Sequence, residues 1–114
     1  MSDSSIERQW LTIPEAAEQL GLSKGKVGRL VQERFLLARR IDGEPRIPAD
    51  FIHGGEPLHG LRGTLTLLFD GGLRDDEVLD WMLAVDETLG QAPVDALRAG
   101  RRTSVRHSVQ LLGL

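Results

Sequence analysis

The sequence predicts a mainly α fold: two helices joined by a tight turn, a small two-stranded β-hairpin, and then an all-α region to the end of the chain. Three observations predict it. "WLTIPEAAEQLG" runs directly into "LSKGKVGRLVQE", and each stretch has a capping residue followed by an apolar stripe at helical spacing. Asp42-Gly43, a strong turn signal, stands between two short extended runs. From residue 61 onward the apolar residues recur three and four apart rather than alternating.

The first helix opens on Thr12, with Glu15 three residues on as a capping box and Pro14 tolerated in the first turn. Ala16, Ala17 and Leu20 form its apolar stripe, and Gly21 ends it at a left-handed position. Ser23 caps the second helix, about residues 23–33, whose Val27, Leu30 and Val31 form the buried side. Only Gly21 and Leu22 separate the two, a connection short enough for a helix-turn-helix. Gly25 and Gly28 inside the second helix each cost on the order of 1 kcal/mol relative to Ala. Both fall toward the outward surface with Lys24 and Arg29, where a missing Cβ lets backbone approach a phosphate or groove wall.

The hairpin spans about residues 37–48, with arginines at its base and tip, and Pro45 and Pro48 confine its second run to an edge strand. "ADFI" reads as one helical turn that returns Phe51 and Ile52 to the core, and the Gly- and Pro-rich 53–60 as a linker. Leu58, Leu61, Leu65, Leu68 and Phe69 make the next amphipathic face, stopped by Gly71-Gly72. Asp75 caps a helix whose Val78, Leu79, Met82 and Leu83 face inward; Pro93 opens a short helix with Val94 and Leu97. After Gly100 a last helix buries Val105, Val109 and Leu112, and Trp10 and Trp81 read as core. The organisation is therefore a flexible tail over 1–9, one domain over 10–52, a linker over 53–60 and a helical domain over 61–114 for dimerisation or partner binding.

Composition bounds the function. The chain has 114 residues, no cysteine and no long apolar run or basic-then-apolar leader, so disulfides and thiolate metal sites are excluded and the expected location is cytoplasmic, without a membrane partner. The net charge is −3, but its distribution is uneven. Residues 22–48 hold seven basic side chains against three acidic ones, whereas residues 70–95 hold eight acidic against Arg74 alone. A basic region on an acidic protein can dock a polyanion, because local potential sets the encounter.

The pattern Leu11-Thr12, Glu15-Ala16-Ala17, Leu20-Gly21, Ser23, Val27, Arg29, Arg39 and Arg46-Ile47-Pro48 resembles the winged helix-turn-helix of excisionase-like and MerR-like DNA-binding domains. "LTLLFDGGLRDDEVLDWML" and "PVDALRAG" extend the resemblance to actinobacterial winged-helix DNA-binding proteins, one of them a mycobacterial Ser/Thr-kinase substrate. The C-terminal stretch is also similar to the toxin-binding domain of Xre/MbcA/ParS-type antitoxins, with Asp86-Glu87 where an Asn-Pro pair is usual.

The resemblance implies a sequence-specific binder of double-stranded DNA, a nucleoid-associated transcriptional regulator. Its contacts would come from Ser23, Lys24, Lys26 and Arg29 of the recognition helix and from Arg39, Arg40 and Arg46 of the wing, with Arg34 either joining them or facing its own helix dipole. A homodimer, a toxin or a Ser/Thr kinase are the further partners it implies, and Ser2, Ser4 and Ser5 the phosphorylation candidates. The rival reading is an antitoxin-like adaptor whose helical domain binds a protein. Neither catalysis nor a cofactor is expected: Asp70, Asp75 and Asp76 sit at a helix stop and start, and His53, His59 and His107 lack metal-ligand spacing.

Overall fold

The computed structural model describes residues 8–114 and is mainly helical. Its elements run β1 (Trp10–Thr12), α1 (Ile13–Leu20), α2 (Lys24–Gln32), β2 (Arg39–Ile41), β3 (Glu44–Pro48), a 3-10 turn (Ala49–Phe51), β4 (Ile52–His53), β5 (Glu56–Pro57), α3 (Leu61–Asp70), α4 (Asp75–Leu83), α5 (Pro93–Arg98) and α6 (Arg102–Gln110). They divide into two compact units that meet between Leu58 and His59. The tail expected over 1–9 falls outside the described residues except for Arg8 and Gln9, and so do the three candidate serines. Arg8 pairs with Asp50 at 3.2 Å. Among the described residues no helix is long and apolar enough to cross a membrane.

In the first unit, local chemistry behaves as the sequence implies. Thr12 Oγ1 accepts from the Glu15 amide at 3.2 Å, and Glu15 Oε1 accepts from the Thr12 amide at 2.8 Å, completing the capping box. Gly21 ends α1 at φ 66°, and its two-residue connection delivers the chain to Ser23, whose Oγ accepts from the Lys26 amide at 3.2 Å. Asp42 and Gly43 take φ 55° and 81°, a turn with two left-handed residues that matches strand twist.

The sheet corrects two expectations. The hairpin is not a lone two-stranded wing: Trp10–Thr12 add a third strand, and the order is β1-β3-β2. The proline-bearing run β3 is therefore the central strand and not an edge. Stagger resolves the conflict. Pro45 lies opposite only Arg40 of β2, Pro48 opposite only Trp10 of β1, and Arg46 alone has a partner on both sides. Each proline thus stands where one neighbour has already ended, so its missing N–H breaks no ladder on that side. Leu11 and Ile47, directly paired, turn inward with Ala16, Ala17, Val27, Leu36, Leu37 and a fully buried Phe51 to make the core.

The stretch read as a linker carries structure of its own. Ile52–His53 and Glu56–Pro57 pair across Gly54-Gly55, both left-handed, and the Leu58 amide donates to the Phe51 carbonyl at 2.8 Å. Leu58 consequently completes the first unit instead of opening the α3 face.

The second unit buries Leu61, Leu65 and Leu68 of α3, Val78, Leu79, Met82 and Leu83 of α4, Val94 and Leu97 of α5, and Val105 and Val109 of α6. Two details depart from expectation. Arg74, not Asp75, flanks the start of α4, and Glu77 Oε1 reaches back to accept from its amide at 2.8 Å. Leu112 is 41% exposed because α6 stops at Gln110, leaving the following residues off its packed side. Neither tryptophan is core; both are half-buried.

Candidate nucleic-acid interface

Helix α2 is an exposed element held by one deep anchor. Val27 is fully buried, Leu30 and Val31 are half-buried, and every other residue from Lys24 to Gln32 is exposed. At 3.6 residues per turn Gly25 and Arg29 lie nearly opposite Val27, with Lys26, Gly28 and Gln32 beside them and Lys24 closer to the packed edge. A Cβ added at Gly25 or Gly28 would meet nothing within 4 Å. Packing therefore does not require either glycine. Gly28→Ala is expected to stabilise the protein by about 0.5–1 kcal/mol, read as a higher urea midpoint at unchanged slope.

Seven of the eight expected contact residues fall in or beside two features. Ser23, Lys24, Lys26 and Arg29 share α2 and its cap, and the Ser23 hydroxyl still has its proton to donate after accepting from Lys26. Arg39 and Arg46 are directly paired across β2 and β3, on the sheet face opposite the buried Leu11–Ile47 pair. Arg40 points to the other face, and its guanidinium donates to the Gly43 carbonyl across the hairpin turn. Arg34 stands apart, past the end of α2 at φ 64°, in the left-handed position that stops the helix.

The Arg39–Arg46 pair is electrostatically costly, since like charges opposed across a ladder destabilise it. Two neighbours offset part of that cost. The Arg39 guanidinium lies 5.7 Å from the centre of the Trp10 ring, and Arg46 faces Glu44 at 3.7 Å. Arg46 Nε is buried without a hydrogen-bond partner. Two residues on the same surfaces are absent from the sequence-based expectation. Gln32 was legible from helical period alone, because it falls on the open side of α2. Trp10, which shapes the arginine pair, depends on the unforeseen strand β1.

Residues 4–52 match the family model described as "DNA-binding protein Rv2175c, wHTH domain", and residues 58–113 match "Rv2175c C-terminal domain of unknown function". The chain is 34% identical over 113 residues to a Mycobacterium tuberculosis (strain ATCC 25618 / H37Rv) protein named "DNA-binding protein Rv2175c", covering 88% of this chain and 77% of the relative. It also resembles the solved NMR structure of Rv2175c, with TM-score 0.81 and 33% identity over 92% of this chain and 82% of the other.

Proposed function

The chain belongs to the Rv2175c family, a winged helix-turn-helix domain followed by the family's C-terminal domain, and from that premise we propose that it binds double-stranded DNA as a sequence-specific transcriptional regulator in the cytoplasm, at the nucleoid. The observation that carries this reading is α2: a basic helix anchored by one buried side chain, with its glycine-bearing face open. In the proposed complex α2 enters the major groove. Lys24, Lys26 and the Ser23 cap meet phosphates, and Arg29 and Gln32 reach base edges, Arg toward guanine and Gln toward adenine. Arg39 and Arg46 lie along the backbone as the wing, where phosphate neutralises the pair that the sheet holds at a cost. Arg40 and Arg34 contribute charge from the hairpin and the helix stop.

Phosphate contacts dominate affinity in such an interface. Binding of a duplex, followed by fluorescence anisotropy between about 50 and 200 mM salt, is expected to weaken steeply, with a log–log slope of about −4.5 to −6.3 for about five to seven contacts. A flat salt dependence, or no binding at low salt, overturns the proposal. Gly28→Ala refines it: a stabilised variant that binds several-fold more weakly supports backbone approach at the groove, and unaltered binding removes that role.

A second reading draws on the exposed apolar side chains of the helical unit. Val85 is 63% exposed, Leu111 60% and Leu114 53%. Single exposed apolar residues are ordinary, and these are the side chains on which a homodimer, or an antitoxin- or kinase-substrate-like docking face, would draw. Solution mass with and without duplex tests it: a monomer in both states rejects the homodimer.

A further inference from the structure

A narrow cleft in the second unit, about 170 Å³, is lined by Gly60, Gly63, Thr64 and Leu67 at the start of α3 and by Arg102 and Arg106 of α6. The arginines are one helical turn apart, both exposed, and among the described residues neither guanidinium has a hydrogen-bond or ion-pair partner. Like charges at that spacing destabilise a helix, and nothing nearby in sequence relieves them. Residues 96–114 contain no acidic side chain, and the first turn of α3 contains none either. Asp70, the one acidic residue of α3, borders an adjoining groove that Arg106 also lines, without pairing with it among the described residues.

The cleft is built rather than incidental. A Cβ on Gly60 would stand 2.5 Å from Arg102 Cδ and 2.9 Å from Cγ, so the arginine's alkyl stem lies directly on the glycine backbone. Gly60 is itself at φ 88°, a conformation other residues resist. Thr64 Oγ1 donates to the Gly60 carbonyl at 3.0 Å, which ties the first turn of α3 to the glycine. Gly63 faces open space, with nothing within 4 Å of an added Cβ. The cavity is below the size usual for organic ligands, but an oxyanion group on an extended chain can reach both guanidinium forks from its open side.

We propose that this arginine cleft is a second DNA-binding site, in which Arg102 and Arg106 clamp a backbone phosphate of duplex DNA and so give the C-terminal domain a nucleic-acid role. The inference rests on the DNA-binding reading of the first unit. Charge complementarity selects a polyphosphate, and a single winged unit buries little DNA and gains most from added phosphate contacts.

The test uses the full chain with duplex DNA across a salt series. Arg102→Ala/Arg106→Ala is expected to weaken binding about three- to tenfold near 150 mM salt and to flatten the slope by about 1 to 2. The melting temperature should change little, because removing the like-charge pair offsets the packing that the Arg102 stem loses against Gly60. Gly63→Glu, which sets a carboxylate in the cleft without touching either arginine, is expected to weaken binding as well. If both variants keep wild-type affinity and slope while Lys24→Ala/Arg29→Ala loses binding, the second site is overturned and the first stands. If neither double variant changes a measurable affinity, both fail. Titration with inorganic phosphate separates the remaining source: arginine Nε–H resonances that shift with phosphate, in a protein whose DNA binding ignores Arg102→Ala/Arg106→Ala, mean a free-phosphate pocket and reject the DNA assignment.

Discussion

Lys24→Ala/Arg29→Ala is expected to weaken duplex binding by about 30-fold or more near physiological salt, at about 1 kcal/mol or more per lost charge-assisted contact. The slope of log affinity against log salt should flatten by about 1, since Lys24 is the phosphate contact of the pair and each such contact releases close to one counterion, whereas loss of Arg29 relaxes discrimination between sequences. Both side chains are exposed and neither has a resolved role in the core. Alanine is the better helix former at both sites, so the variant should melt no lower than the parent. That combination separates an interface effect from a folding effect. Wild-type affinity and slope in the double variant would reject α2 as the recognition helix.

The largest stability effect is expected at Phe51. Its ring is fully buried and sits in the 3-10 turn that joins the sheet to the β4–β5 hairpin, with its carbonyl accepting from the Leu58 amide. Phe51→Ala removes the ring and leaves a cavity, a change that costs about 3–5 kcal/mol in comparable cores. A unit of fewer than sixty residues has little reserve against that loss. Urea unfolding should show the first unit largely unfolded in the variant, with DNA binding gone. Phe51→Leu, which retains most of the volume, should fold and bind. A Phe51→Ala protein with an unchanged urea midpoint would mean that the ring contributes nothing to the packing.

These two predictions differ in how far the sequence alone supports them. Lys24 and Arg29 are legible from charge and helical spacing, which predict the second helix to within a residue of its observed ends. The partnership of Arg39 with Arg46 and Trp10 was not legible. It depends on a strand of three residues whose partners lie more than thirty positions away.

What the sequence determined by itself is the local grammar: the Thr12–Glu15 box, the Gly21 stop, the Ser23 cap and the Asp42-Gly43 turn. Each depends on hydrogen bonds spanning four residues or fewer, so the residues that specify it are adjacent in the chain. Tertiary structure decided the rest. It made β3 central despite two prolines, folded the Gly54-Gly55 stretch into a hairpin, and brought Arg102 against Gly60. Strand order, register and helix-to-helix contact join residues far apart in sequence, and the apolar burial that favours them depends on every element at once.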